Sequence, residues 1–170
     1  MHHDRSDHAD RPFRSDWPAY AAFWVGLLYA AVSAYWGAGG TAGLGTVGGE
    51  IARSARERDP GMFVVLWLTV GLKIVGALLG PALVPHRRLR RLPRRPVLVL
   101  SWVAAAVLTL YGGALVVGQA LVKAGAVAAS ADMDRRAFDW HLFLWDPWFL
   151  VWGLLLGAAV LRTRGARPKP

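Results

Sequence analysis

Apolar positions along this chain gather into four long runs instead of recurring at the spacing of one helix face or one strand face. From Trp17 to Gly49 no charged residue occurs in 33 positions, and from Pro96 to Val122 none occurs in 27. Met62 to Val84 carries only Lys73, and Asp146 to Leu161 carries a charge only at its first position. A soluble helix keeps one charged, wet face. A helix that crosses a bilayer needs roughly 20 consecutive apolar residues. The pattern therefore predicts an all-α, four-helix transmembrane bundle, with spans at about 17–36, 62–84, 97–122 and 146–161.

Turn and cap signals fall between the runs. Asp16 precedes the first span as a cap, and Pro18 sits in its first turn, where a missing N–H does no harm. Residues 37–49 hold seven glycines and read as a connector or a lid-like loop. Glu50 to Asp59 is charged and reads as a surface helix ended by Pro60-Gly61. Six arginines crowd Arg87 to Arg95. Asp146-Pro147 repeats the cap-then-proline signal and opens the fourth span, with an earlier start near Phe138 and a kink at Pro147 as the alternative. Short amphipathic segments then lie on the outer face, around Glu50–Asp59 and Phe138–Trp145, while 1–16 and 163–170 form cytoplasmic tails, the first disordered. The first apolar run exceeds the core of a signal peptide and is expected to be retained.

Charge fixes the expected orientation. The net charge is +9 and the pI about 11.0, values that in a soluble protein would point to nucleic acid. Here the basic residues sit beside apolar spans, so lipid headgroups are the expected partner and nucleic acid is not. The tail, the Arg87–Arg95 loop and the C-terminus together hold thirteen lysines and arginines, against six on the opposite side. The richer side is expected to face the cytoplasm of a multi-pass cell-membrane protein, with both termini inside and anionic headgroups at Arg87 to Arg95. The chain has no cysteine, which removes thiol chemistry and disulfides. No motif calls for a cofactor or a metal.

Lys73 carries the clearest chemical signal. It stands eleven residues from each end of Met62–Val84, about 16 Å from either surface. Intramembrane lysines are costly and turn toward the bundle interior, and no span holds an internal acid to pair with it. Span one places Tyr29 and Ser33 on one face with Gly26. Span two adds Thr69, and span three adds Gln119 with Thr109 at the edge of its stripe. These six residues, with Lys73 at the centre, form the candidate ligand pocket; the plain alternative is a packing seam of small and polar residues. Replacing Lys73 by methionine is then expected to stabilise the fold. Asp139, His141 and Asp146 form a second candidate cluster on the outer face, either acid–base chemistry or an interfacial anchor. Gly43-Leu-Gly45-Thr-Val-Gly48 matches the dinucleotide spacing but follows a helix, not a strand, so nucleotide binding is set aside. Trp17, Trp36, Trp140, Trp145 and Trp148 read as interfacial anchors, and Trp24, Trp67 and Trp152 as residues packed between helices.

Trp36-Gly-Ala-Gly39-Gly40 and Trp145-Asp-Pro-Trp148 resemble motifs of a bacterial family of small four-helix integral membrane proteins catalogued as a domain of unknown function. The resemblance covers about Trp17 to Leu161. It implies the four-span architecture and no activity or catalytic residue. The leading expectation is a small, non-enzymatic membrane protein that binds a lipid-like or small anionic ligand or a membrane partner. Two other classes stay open: a membrane-embedded enzyme on a hydrophobic substrate, and an oligomeric transporter or channel subunit built as a homo-oligomer.

Overall fold

The computed structural model describes residues 11–48, 53, 57, 60–84, 93–130 and 133–165. Helix α1 spans Arg11–Gly37, α2 Pro60–Ala82, α3 Arg94–Lys123, α4 Arg135–Trp140 and α5 Asp146–Gly165. A π-helical turn, His141–Trp145, joins α4 to α5, so the three form one helical column. A short 3-10 turn, Leu44–Thr46, lies in the glycine-rich segment. No strand occurs among the described residues. Four helices are long and apolar enough to cross a membrane: 16–37, 60–82, 94–123 and 135–163. The protein is an all-α membrane bundle.

Two close hairpin pairs build it, α1 with α2 and α3 with α5, and α1 joins the pairs by packing on α5. In lipid, helices gain by close approach over small residues. A Cβ at Gly80 would collide with the backbone carbonyl oxygen of Ala19. A Cβ at Gly112 would lie 2.5 Å from the amide nitrogen of Leu150. Trp152 fills the three-way junction and is 2 % exposed. Its ring occupies the space that Cβ atoms at Gly26 and Gly76 would enter, and Leu156, Ala22 and Ala77 are buried around it. Trp24 and Trp67 differ from expectation. Trp24 is 57 % exposed and Trp67 42 %, so both present most of a face to the outside while Trp67 also covers Gly37. The outer faces of α2 and α3 are strongly apolar, with Leu72 and Leu110 both among the exposed side chains.

The ends of the helices correct two expected caps. Helix α1 starts at Arg11, which places Pro18 inside it, fully buried, instead of in the first turn. The fourth column starts at Arg135, capped by Asp134, whose carboxylate accepts from the amides of Arg136 at 3.0 Å and Ala137 at 3.1 Å. Asp146 is therefore not a cap. It sits in mid-column, 2 % exposed, and its amide donates to the carbonyl of His141, a π-type bond. Pro147 has no N–H for the preceding turn, and its ring crowds an α-helical carbonyl. The wider π turn accommodates both.

The Trp36-Gly-Ala-Gly39-Gly40 motif also gains a physical meaning. Gly39 adopts φ 94°, the left-handed region that closes a helix. Its amide donates to Trp36 O at 3.0 Å and that of Gly40 to Tyr35 O at 2.9 Å. A Cβ at Gly40 would fall on the Tyr35 ring.

Candidate functional site

The aromatic residues of both motifs meet at the end of the bundle that carries the 38–48 segment. Trp145, 6 % exposed, packs its ring edge-to-face with Trp36 at 5.4 Å and parallel to Trp148 at 6.2 Å. Tyr29 stacks on Trp148 at 5.3 Å and on Trp145 at 5.9 Å, and meets the edge of Phe149 at 4.9 Å. The Trp148 indole N–H donates to Val25 O at 3.0 Å, which ties α5 to α1.

Lys73 approaches this column from α2. Its ammonium donates to Ser33 Oγ at 2.6 Å and stands 3.9 Å from the centre of the Tyr29 ring. Ser33, 2 % exposed, donates in turn to Tyr29 O at 3.2 Å. Among the described residues no carboxylate forms an ion pair with Lys73. A hydroxyl and a ring face therefore receive the charge, the second as a cation–π contact.

Asp146 follows Trp145 in the chain and has a different set of partners. Gln119 donates its amide to Oδ2 in a short hydrogen bond, and His141 Nδ1 lies 3.4 Å from Oδ1. The second ring nitrogen, Nε2, lies 3.3 Å from Val47 O. Trp145, the residue before Asp146, stacks on Tyr29, and Tyr111 meets the Phe149 ring at 5.3 Å. Thus Tyr29, Gln119, His141 and Asp146 belong to one neighbourhood, although the sequence divides them between two candidate sites.

The remaining candidates sit apart. The Thr69 hydroxyl donates back to Leu66 O at 2.7 Å within α2. Thr109 fills the α3–α5 seam, with its Oγ1 2.5 Å from the position of a Cβ at Gly153. Asp139 pairs with Lys123, and both side chains are 48 % exposed. Glu50, most of the Glu50–Asp59 segment and Arg87 to Arg91 lie outside the described residues. Arg94 and Arg95 open α3, and Arg94 reaches Thr163 O at 3.4 Å. Among the described residues no three His, Cys, Asp or Glu side chains converge where a metal would sit.

Residues 38–48 fold over the aromatic column. Leu44 is 2 % exposed and Thr46 6 %. Trp36 Nε1 donates to Ala42 O at 2.9 Å, Trp145 Nε1 to Thr46 Oγ1 at 3.2 Å, and the Ala42 amide to the Tyr35 hydroxyl at 3.3 Å. A reading of each span alone misses these indole contacts. Trp36 and Trp145, read from the sequence as interfacial anchors, bond through their N–H groups to the folded-back segment. Beside Trp148, an open apolar groove of about 260 Å³ runs between Val25, Phe143, Leu144, Pro147 and Val151.

A family model described as Protein of unknown function (DUF3995) matches residues 26–156. No curated protein and no solved structure matches the chain.

Proposed function

The chain belongs to the DUF3995 family, and we propose that it is a small, non-enzymatic integral membrane protein that holds the anionic head of a lipid-like ligand at Lys73. One observation carries the reading. An ammonium inside a membrane helix points into the bundle and has a hydroxyl and a ring face as partners, with no acid paired to it among the described residues. An anionic group brought to Nζ would supply the missing charge, and the serine hydroxyl and the aromatic wall would hold it in place. The groove beside Trp148 offers an apolar surface for a hydrocarbon chain.

The test is ligand retention. Wild-type protein purified in mild detergent is expected to carry an anionic amphiphile detectable by mass spectrometry, and Lys73→Met is expected to lose it by at least about tenfold. Equal retention by the two proteins overturns the reading. Little or no stability should be gained. A charged lysine at this depth costs about 2.5–3.5 kcal/mol. The cation–π contact returns about 0.5–2 kcal/mol and the charged hydrogen bond about 1.5–3 kcal/mol. Together they return about 2–5 kcal/mol, which matches or exceeds that cost, so the gain expected from sequence alone is at most about 1.5 kcal/mol.

A membrane-embedded enzyme is the second reading, and the His141–Asp146 approach favours it, because a carboxylate orients an imidazole for proton transfer. Recovery of a chemically altered amphiphile instead of an intact one would select it.

The excess of basic residues on the side of the termini supports a cytoplasmic placement for both termini, and with it an outer placement for residues 38–48. Arg87 to Arg95 would then meet anionic headgroups. In a chain without cysteine, cysteines at the exposed Ala126 and Ser130 are expected to react with an impermeant thiol reagent in intact cells. A cysteine at Thr163 should react only after lysis. The reverse pattern inverts the topology.

A further inference from the structure

We propose that His141 and Asp146 form a proton-operated latch that holds residues 38–48 closed over the aromatic column. Beyond the backbone bonds that close α1 at residues 38–40, side chains hold the segment at four places among the described residues. Three involve an indole N–H or a phenol hydroxyl: Trp36 to Ala42 O, Tyr35 to the Ala42 amide, and Trp145 to Thr46. The fourth is the His141 ring, which reaches Val47 at the far end of the segment.

The chemistry of that tie is one of proton count. A carboxylate oxygen faces Nδ1 and a backbone carbonyl oxygen faces Nε2. A neutral imidazole has one N–H and one lone pair. It satisfies one of the two oxygens and turns its lone pair on the other. One more proton in the pair removes the conflict. As imidazolium, His141 donates to both oxygens. Alternatively, protonated Asp146 donates to Nδ1 while Nε2–H donates to Val47 O. Either arrangement holds the same number of protons, so closure takes up one proton wherever that proton resides.

Residues 38–48 carry no charge. From α3, Gln119 is neutral and Lys123 is engaged by Asp139 of α4. Arg135 and Arg136, also on α4, keep their charge throughout the neutral range. From α1 comes the Tyr29 phenol, against which Lys73 of α2 rests. The ring is reachable by protons, because the His141 side chain is 34 % exposed while that of Asp146 is 3 % exposed. Protonation therefore closes the segment and deprotonation loosens it at the Val47 end. Its role as a gate for a bound head group rests on the reading of Lys73 given above; the latch itself rests only on the geometry of the pair.

Hydrogen exchange of the full-length protein in detergent tests it without any ligand. After correction for intrinsic exchange, amides 44–47 are expected to open about tenfold less at about pH 5.5 than at about pH 8, the range in which histidine changes charge. His141→Gln should abolish that difference. Asp146→Asn should abolish it in the other sense, because its amide donates to Nδ1 without an added proton and holds the segment closed at both values. A flat wild-type profile, or an undiminished slope in His141→Gln, overturns the latch. A normal slope in a Lys73→Met protein that still retains its amphiphile overturns the ligand reading and supports the latch.

Discussion

Alanine at Gly112 or at Gly80 is expected to lower stability by about 1–3 kcal/mol, the usual cost of overpacking. At Gly112 the new methyl meets the backbone of Leu150 at 2.5 Å and the carbonyl oxygen of Asp146 at 3.0 Å. At Gly80 it meets the backbone of Ala19. Backbone on the facing helix yields only if the helices move apart. Gly71 and Gly118 are the controls. Both lie in helices with nothing within 4 Å of a built Cβ, so alanine should be neutral there or stabilising by up to about 1 kcal/mol. Unfolding titrations in mixed micelles measure all four. Equal losses at the four positions would mean that helix contact in this bundle does not depend on the missing side chains.

Asp146→Ala is expected to cost about 2–4 kcal/mol, whereas Asp146→Asn should stay within about 1 kcal/mol of wild type. The alanine leaves the buried amide of Gln119 without its acceptor and His141 without its partner. Gln119 Oε1 already has no partner among the described residues, so the truncation strands the whole side chain. The asparagine keeps an acceptor for Gln119 and offers an N–H to His141. Thermal unfolding in detergent separates the two variants. Matching stabilities for the two substitutions would show that the carboxylate's hydrogen bonds contribute nothing.

The spans were legible because charge is segregated. Where lipid surrounds a helix, every turn of the apolar run must stay apolar, and the boundaries announce themselves at Arg11–Asp16, Arg87–Arg95 and Arg162. Lys73 was legible for the converse reason, as one charge in a place that tolerates few. Asp146 was not. An acid followed by proline reads the same at a helix start and at a π turn, and only the capping of Arg135 by Asp134 tells them apart. The meeting of Tyr29, Gln119, His141 and Asp146 was also hidden, because helix pairing decides which stripe meets which, and pairing here follows glycines whose partners lie on other spans. The tryptophans misled for a related reason. An indole at a span end looks the same whether its N–H faces water or the carbonyl of a folded-back loop, as that of Trp36 does.

The π turn at His141–Trp145 alters how positions along the fourth column should be counted. One additional residue in a single turn rotates everything before it by about 100° relative to a continuous α-helix. Side chains on α4 therefore belong to a different phase of the helical wheel from those on α5, and a wheel drawn through both assigns Asp139 and His141 to wrong faces. Loss of one codon within 142–145 would return the column to a single phase. It would swing the imidazole away from Val47 while leaving composition, hydropathy and span length almost unchanged. In this chain the phase of a helix, set by one surplus residue, is a feature on which chemistry depends and to which hydropathy is blind.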